Sequence, residues 1–292
     1  MSADTARLTH RGGGLPLRLA AWSVGPPSVA LVHWLLLDAN PIVRMCAFIG
    51  VLFLWMKAVV LAEQRAAGKA LPPPLRLLAW LFLWPGMRPQ AVARTSSPVA
   101  AGGTAARGLL SVAAGAGLIM LARWAWAETH SLWAFAPPAL VGFSLVLHYG
   151  LFTLLTVSWR IAGFDVGPLF RNPFASRSLS DFWTCRWNLA YTEMCQETVL
   201  RATRPWHRRA STFAVFLFSG LLHEVAISLP VDAGYGLPTL YFAINGAAMQ
   251  APFKPGTLVA RTWAVFWVVA PLPLLFHPWF IRGIVMLALG VS

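Results

Sequence analysis

The chain has 292 residues, of which 58% are hydrophobic and only 11% charged. A soluble domain carries about 25% charged residues, so these few charges cannot coat a globule in water, and lipid must be the solvent for much of the surface. The formal net charge is +13, but no nucleic-acid motif accompanies it and the basic residues gather in connections between apolar segments, which argues for membrane topology and against a nucleic-acid partner.

The 15 Trp residues agree with this, because indole rings sit well at headgroup depth. Cys46, Cys185 and Cys195 form no CxxC pair and are odd in number, so free thiols are expected. The stretch from Met1 to Gly14 is polar, and no small-residue cleavage site follows an apolar core, so no cleavable signal peptide is expected.

A spanning helix takes about 20 apolar residues. In chain order the sequence predicts eight such spans, near 19–37, 42–62, 108–127, 132–157, 212–230, 236–252, 259–275 and 276–291. Pro26 and Pro27 should kink the first. A tight turn near His277 and Pro278 should join the last two. The stretch 75–86 is too short to span and reads as an interfacial or re-entrant helix stopped at Pro85-Gly86, and 87–107 reads as a loop. The expected fold class is all-α, a polytopic transmembrane helical bundle forming a single membrane domain over 1–292. No internal repeat is visible, which argues against a transporter built from paired halves.

Charge assigns the sides. The N-terminal tail carries Arg7, Arg11 and Arg18, and the connections 63–107, 158–211 and 253–261 are all basic. The intervening connections 38–41, 128–131 and 231–235 contain no Lys or Arg and hold Asp38, Glu128 and Asp232. If 75–86 does not cross, the alternation is complete, and both termini and the 158–211 segment are expected in the cytoplasm.

The 158–211 segment is too polar to span and too aromatic for a plain linker. Ser178 and Asp181 have the spacing of a capping box, and Pro205 is a stop signal, so an amphipathic cytoplasmic helix is predicted over 179–203. Phe182, Trp183, Trp187, Tyr191 and Met194 would form its aromatic side, and Asp181, Asn188 and Cys195, seven apart, would share a stripe. Asn188 is either an amide satisfied by neighbouring helices or one that fixes a substrate carbonyl. The aromatic residues are either packing anchors or part of a site.

The span 212–230 carries His223 and Glu224 in mid-segment. Ionisable groups in hydrocarbon are costly, and those that occur face a cavity or a partner. Ser219 and Gly220, four and three residues before His223, make one face narrow and slightly polar, suited to close helix contact or substrate access. Glu224 lies about 100° further round and could pair with a buried Arg such as Arg123. No second His follows His223 at i+4, and there is no G-x-S-x-G elbow and no P-loop, so zinc-protease and covalent serine mechanisms are unsupported.

Three stretches resemble the wax-synthase branch of the membrane-bound O-acyltransferases: Phe82-Leu83-Trp84-Pro85-Gly86-Met87; Ser178-Leu179-Ser180-Asp181-Phe182-Trp183 continuing through Arg186-Trp187-Asn188; and Ser219-Gly220-Leu221-Leu222-His223-Glu224. With the intervening spans the resemblance covers 75–250, and the second and third stretches in this order are the more specific. It implies transfer of an acyl group from acyl-CoA, as co-substrate, to the hydroxyl of a lipophilic alcohol, with no other cofactor and no metal. It also implies that His223 is the catalytic base and Asn188 its polar partner. Trp183, Trp187, Arg171, Arg177, Arg186 and Ser219 are candidate substrate-binding residues. The arginines would attract the anionic CoA, or else contact lipid phosphates and set topology. Two further readings stay open: O-acylation of a glycan or natural-product hydroxyl, and a non-enzymatic membrane carrier or channel using His223 in a ligand pathway.

Overall fold

A computed structural model describes residues 14–93, 95 and 102–291. Arg7, Arg11 and part of the predicted 87–107 loop therefore lie outside the described residues. The described chain is helical throughout. It has no named strand, and its one isolated bridge pairs Thr95 with Phe164.

In chain order the main helices are α1 (Gly14–Ser23), α2 (Gly25–Leu35), α3 (Pro41–Ala66), α4 (Pro74–Leu83), α5 (Gly102–Thr129), α6 (Leu132–Ile161), α7 (Leu189–Glu197), α8 (Arg208–Val231), α9 (Leu237–Ala248) and α10 (Leu258–Leu275). Five of them, α3, α5, α6, α8 and α10, are long and apolar enough to cross a membrane. The other three of the eight predicted spans are shorter or interrupted. The first is divided into α1 and α2 beside Pro26 and Pro27, in keeping with the expected kink. Residues 236–252 yield only the 12-residue α9, which starts at Leu237 with Pro238 in its first turn and is followed by irregular chain. The last contains a three-residue turn, Pro278–Phe280, and the π-helical Ile281–Met286. Proline at a helix start and the loss of the regular 3.6-residue repeat explain these shorter pieces. The helix α4 is 10 residues long, as its composition predicts, and far short of a bilayer.

The described chain divides into two compact units, residues 1–93 with 190–250, and 94–189 with 251–292. In the first, α1 and α2 pack on α3, and α8 packs on α9. A Cβ at Gly220 would stand 2.7 Å from the Cα of Thr239, so α8 and α9 touch backbone to backbone there. In the second unit α5 and α6 approach as closely, since a Cβ at Gly115 would lie 2.7 Å from the Gly142 carbonyl oxygen. Along α5, Leu109, Leu110 and Met120 all point outward, an arrangement that suits lipid and not water.

Inside the first unit, the buried charged side chains on α3 are tied down. Lys57 is fully buried, and its ammonium donates to the carbonyls of Trp80 (2.5 Å), Trp84 (2.7 Å) and Gly86 (3.2 Å) while lying 3.7 Å from the centroid of a Trp80 ring. It thus satisfies carbonyls left open where α4 ends. Arg44 donates to both carboxylate oxygens of Asp232 and to the Leu229 carbonyl, fastening the far end of α8. Glu63 is held by Arg18 and Arg201.

Candidate active site

The helix α8 begins as regular α-helix and changes at His223: Arg208–His223 is α, Glu224–Ser228 is π, and Leu229–Val231 is 3-10. π-turns of this kind occur often at functional positions. His223 Nδ1 lies 2.7 Å from the Ser219 carbonyl oxygen, one turn back. A carbonyl can only accept, so Nδ1 carries the hydrogen, and in the neutral ring Nε2 keeps its lone pair. The ring is flanked by Phe242 of α9, with centroids 4.4 Å apart and planes inclined at 39°. Ser219 is almost fully buried, so its contribution is this carbonyl and a hydrogen bond with Tyr191. Tyr191 in turn donates to the Val215 carbonyl at 2.7 Å and so fastens α7 to α8.

Among the described residues Glu224 pairs with no arginine. Its Oε1 accepts from the backbone amide of Thr239 at 2.9 Å and from the Thr239 hydroxyl at 2.7 Å. Arg123 donates to the Leu289 carbonyl instead.

The remaining candidates lie in the second unit, between residues 171 and 188. Ser178 caps the helix start as predicted, while the reciprocal bond of Asp181 goes to the amide before the cap. Ser178 Oγ accepts from the Asp181 amide at 3.1 Å, and Asp181 Oδ2 accepts from the Arg177 amide and from Arg186 Nε, each at 2.8 Å. Burial works to raise the Asp181 carboxyl, but the Arg186 and Arg177 hydrogen bonds outweigh it and hold the group below the usual carboxylate range.

The predicted continuous helix over 179–203 does not form. Leu179–Asp181 is α and Phe182–Arg186 is π; the chain then breaks at Trp187 and Asn188, and α7 and the short Val199–Ala202 helix follow. Asn188 has φ of 44°, in the left-handed region, where asparagine is among the few residues with a side chain that sit readily. The break is stabilised from outside the helix. The Arg171 amide donates to the Arg186 carbonyl and the Leu189 amide to the Leu169 carbonyl, both at 2.8 Å. The stripe of Asp181, Asn188 and Cys195 is therefore not a helical stripe.

Trp187 stacks on Phe182 at 5.6 Å and meets Phe170 and His148 edge-on, each at 5.2 Å. Trp183 lies edge-on to Phe182 at 5.0 Å. Arg186 is engaged by Asp181 and by the Asn172 carbonyl. Arg171 and Arg177 are exposed, and their guanidinium groups are the more available to an anion. The structure thus gathers Ser219 with His223 in one unit, and Arg171, Arg177, Trp183, Arg186, Trp187 and Asn188 in the other.

Sequence reasoning gave no role in the site to three neighbours of these residues. Phe242 and Thr239 look like ordinary residues of an apolar helix. His148 had a visible signal, an ionisable residue four after a serine inside an apolar segment, the same spacing as Ser219 and His223. Its Nδ1 is 3.0 Å from Ser144 Oγ, and its ring lies 4.4 Å from that of Phe170 with the planes inclined at 31°. Among the described residues no group of His, Cys, Asp and Glu could hold a metal ion. The three cysteines are free thiols, as expected.

Residues 166–243, which include both Asn188 and His223, match the family model described as membrane bound O-acyl transferase family. The relatives carry the name long-chain-alcohol O-fatty-acyltransferase. One is the probable long-chain-alcohol O-fatty-acyltransferase 6 of Arabidopsis thaliana, 32% identical over 113 residues, covering 35% of this chain and 33% of the relative. A second, the probable long-chain-alcohol O-fatty-acyltransferase 9 of the same plant, is 30% identical over 143 residues, covering 41% of this chain and 42% of the relative. The long-chain-alcohol O-fatty-acyltransferase of Simmondsia chinensis is 33% identical over 72 residues, covering 22% and 20%. The chain matches about a third to two fifths of the length of the first two relatives. It is a multi-pass integral membrane protein whose residues 166–243 are similar to the membrane bound O-acyl transferase family.

Proposed function

We propose that the protein is an O-acyltransferase that moves an acyl group from acyl-CoA to the hydroxyl of a lipophilic alcohol, with His223 as general base. The observation that carries this reading is the bond between His223 Nδ1 and the Ser219 carbonyl, which leaves Nε2 as the proton acceptor. In the step we envisage, Nε2 takes the hydroxyl proton as that oxygen attacks the thioester carbonyl. The tetrahedral intermediate then collapses, the C–S bond breaks, and the leaving thiolate takes the proton back from the imidazolium. The Asn188 amide donates to the developing oxyanion, and Arg171 and Arg177 attract the CoA phosphates from the basic face, which we place in the cytoplasm. The names of the relatives favour a long-chain alcohol as acceptor over a glycan.

The carrier reading needs ionisable groups free to exchange partners along a path. Lys57 is fixed on main-chain carbonyls and Arg44 on Asp232, which favours the enzyme.

The test is purified protein with labelled acyl-CoA and a panel of alcohols. Ester formation is expected with long-chain alcohols, and His223→Ala should lower turnover by about 10³-fold, within the usual range for a general base. A correctly folded His223→Ala protein with normal turnover would remove the base assignment.

A further inference from the structure

The Glu224 carboxylate has no part in the proton transfer described above, yet it follows His223 directly and is half-buried in the same crossing of α8 and α9. Its contacts are few and specific. Oε1 receives both Thr239 donors, and Oε2 is buried with no hydrogen-bond partner among the described residues. Among the described residues Thr239 is therefore the hydrogen-bonding anchor of this side chain.

Thr239 is the third residue of α9. The residue before the helix, Gly236, has φ of 85° and no side chain with which to cap it. The first amides of a helix need acceptors, and a carboxylate is well suited to that end of the helix dipole. Glu224 thus caps α9 from a different helix. The junction has little slack, because the α8 backbone at Gly220 touches Thr239 directly. Three residues beyond Thr239, on the same side of α9, Phe242 lies against the His223 ring.

We propose that Glu224 is a positioning residue for His223: by capping α9 at Thr239 it holds Phe242 against the imidazole and keeps the ring in a fixed orientation. The link to turnover rests on the reading of His223 as the base, whereas the link to ring orientation does not.

The experiment uses the full-length protein in detergent, with the histidine rings labelled with ¹³C. The His223 resonance, assigned by its loss in His223→Ala, should be displaced by the neighbouring Phe242 ring, and Phe242→Leu should give the undisplaced position. Glu224→Gln keeps an oxygen for both Thr239 donors, so it should retain the displacement and most of the turnover. Glu224→Ala should bring the resonance to the Phe242→Leu position and lower kcat by about 10- to 100-fold, with KM for acyl-CoA little changed. Should Glu224→Ala not fold, Thr239→Val removes one of the two bonds and should move the signal part of the way.

A His223 resonance unmoved in Glu224→Ala, or in Thr239→Val where that variant replaces it, overturns the proposal. So does a Glu224→Gln protein as impaired as Glu224→Ala with its signal in place. If His223→Ala itself keeps turnover, the base reading fails, and the resonance still decides whether Glu224 orients the ring.

Discussion

His223 stands at the end of an unbroken α-helical run, whereas Asn188 stands in a break, and the two settings are stabilised by different means. His223 is anchored at Nδ1 by a main-chain carbonyl one turn back, a group that every residue type at position 219 carries. Asn188 is held by a backbone conformation that costs most residues with a side chain about 1–2 kcal/mol, and that is fixed by two cross-chain amide bonds and a cluster of aromatic rings. A change at His223 removes an imidazole and little else. A change at Asn188 alters an amide and a turn together.

The largest effect that separates these contributions comes from comparing Asn188→Ala with Asn188→Gly. If the amide stabilises an oxyanion, both should lose about 10²-fold or more in turnover. Glycine accepts positive φ without strain, so Asn188→Gly should unfold later than Asn188→Ala by about 1 kcal/mol. An Asn188→Gly enzyme with full turnover would show that asparagine serves only the turn.

Lys57→Met tests how far the first unit depends on the polar clamp around α4. It leaves the Trp80, Trp84 and Gly86 carbonyls without their shared donor, and the expected loss is about 2 kcal/mol by thermal unfolding.

Asp181 gives a smaller effect with a defined pH direction. Its carboxyl is held below the usual range in the folded protein, so its contribution is complete above the unfolded carboxylate value, about pH 4, and is lost as pH falls through the lowered one. Asp181→Asn should cost about 1 kcal/mol at neutral pH and flatten that acid limb of the stability profile.

The smallest perturbation uses the two cysteines that flank Asn188. Cys185 is exposed, while Cys195 is buried and its thiol is pushed up to about 12, chiefly by burial. A maleimide at pH 7.5 should label Cys185 and leave Cys195 unreacted. Labelling of both would mean that the two sides of the break are equally open.

The sequence revealed the long apolar helices and the His223 position because both depend on local composition. Pro41–Ala66 and Arg208–Val231 are read directly from runs of apolar residues, and a histidine in such a run is conspicuous. The Ser178 cap was legible for the same reason, since it involves residues three apart. The break at Asn188 was not legible. Residues 179–203 have helical spacing throughout, and what opens the helix is pairing with 169–171 and packing of Phe170 on Trp187, contacts with residues outside the helix. The Glu224 partner was missed likewise, because an uncapped helix start at Gly236 becomes visible only once α9 lies beside α8.

The buried ammonium of Lys57 also bears on how the protein is made. α3 is strongly apolar, yet it carries a Lys well inside its length, and a charge near the middle of a membrane helix opposes insertion by about 2.5–3.5 kcal/mol. The carbonyls that satisfy this charge belong to residues 80–86, which the ribosome adds after α3 is finished. Insertion of α3 and synthesis of the Trp80–Gly86 stretch are therefore coupled events: a nascent chain halted before residue 80 presents to the membrane a helix whose ammonium still lacks its partners.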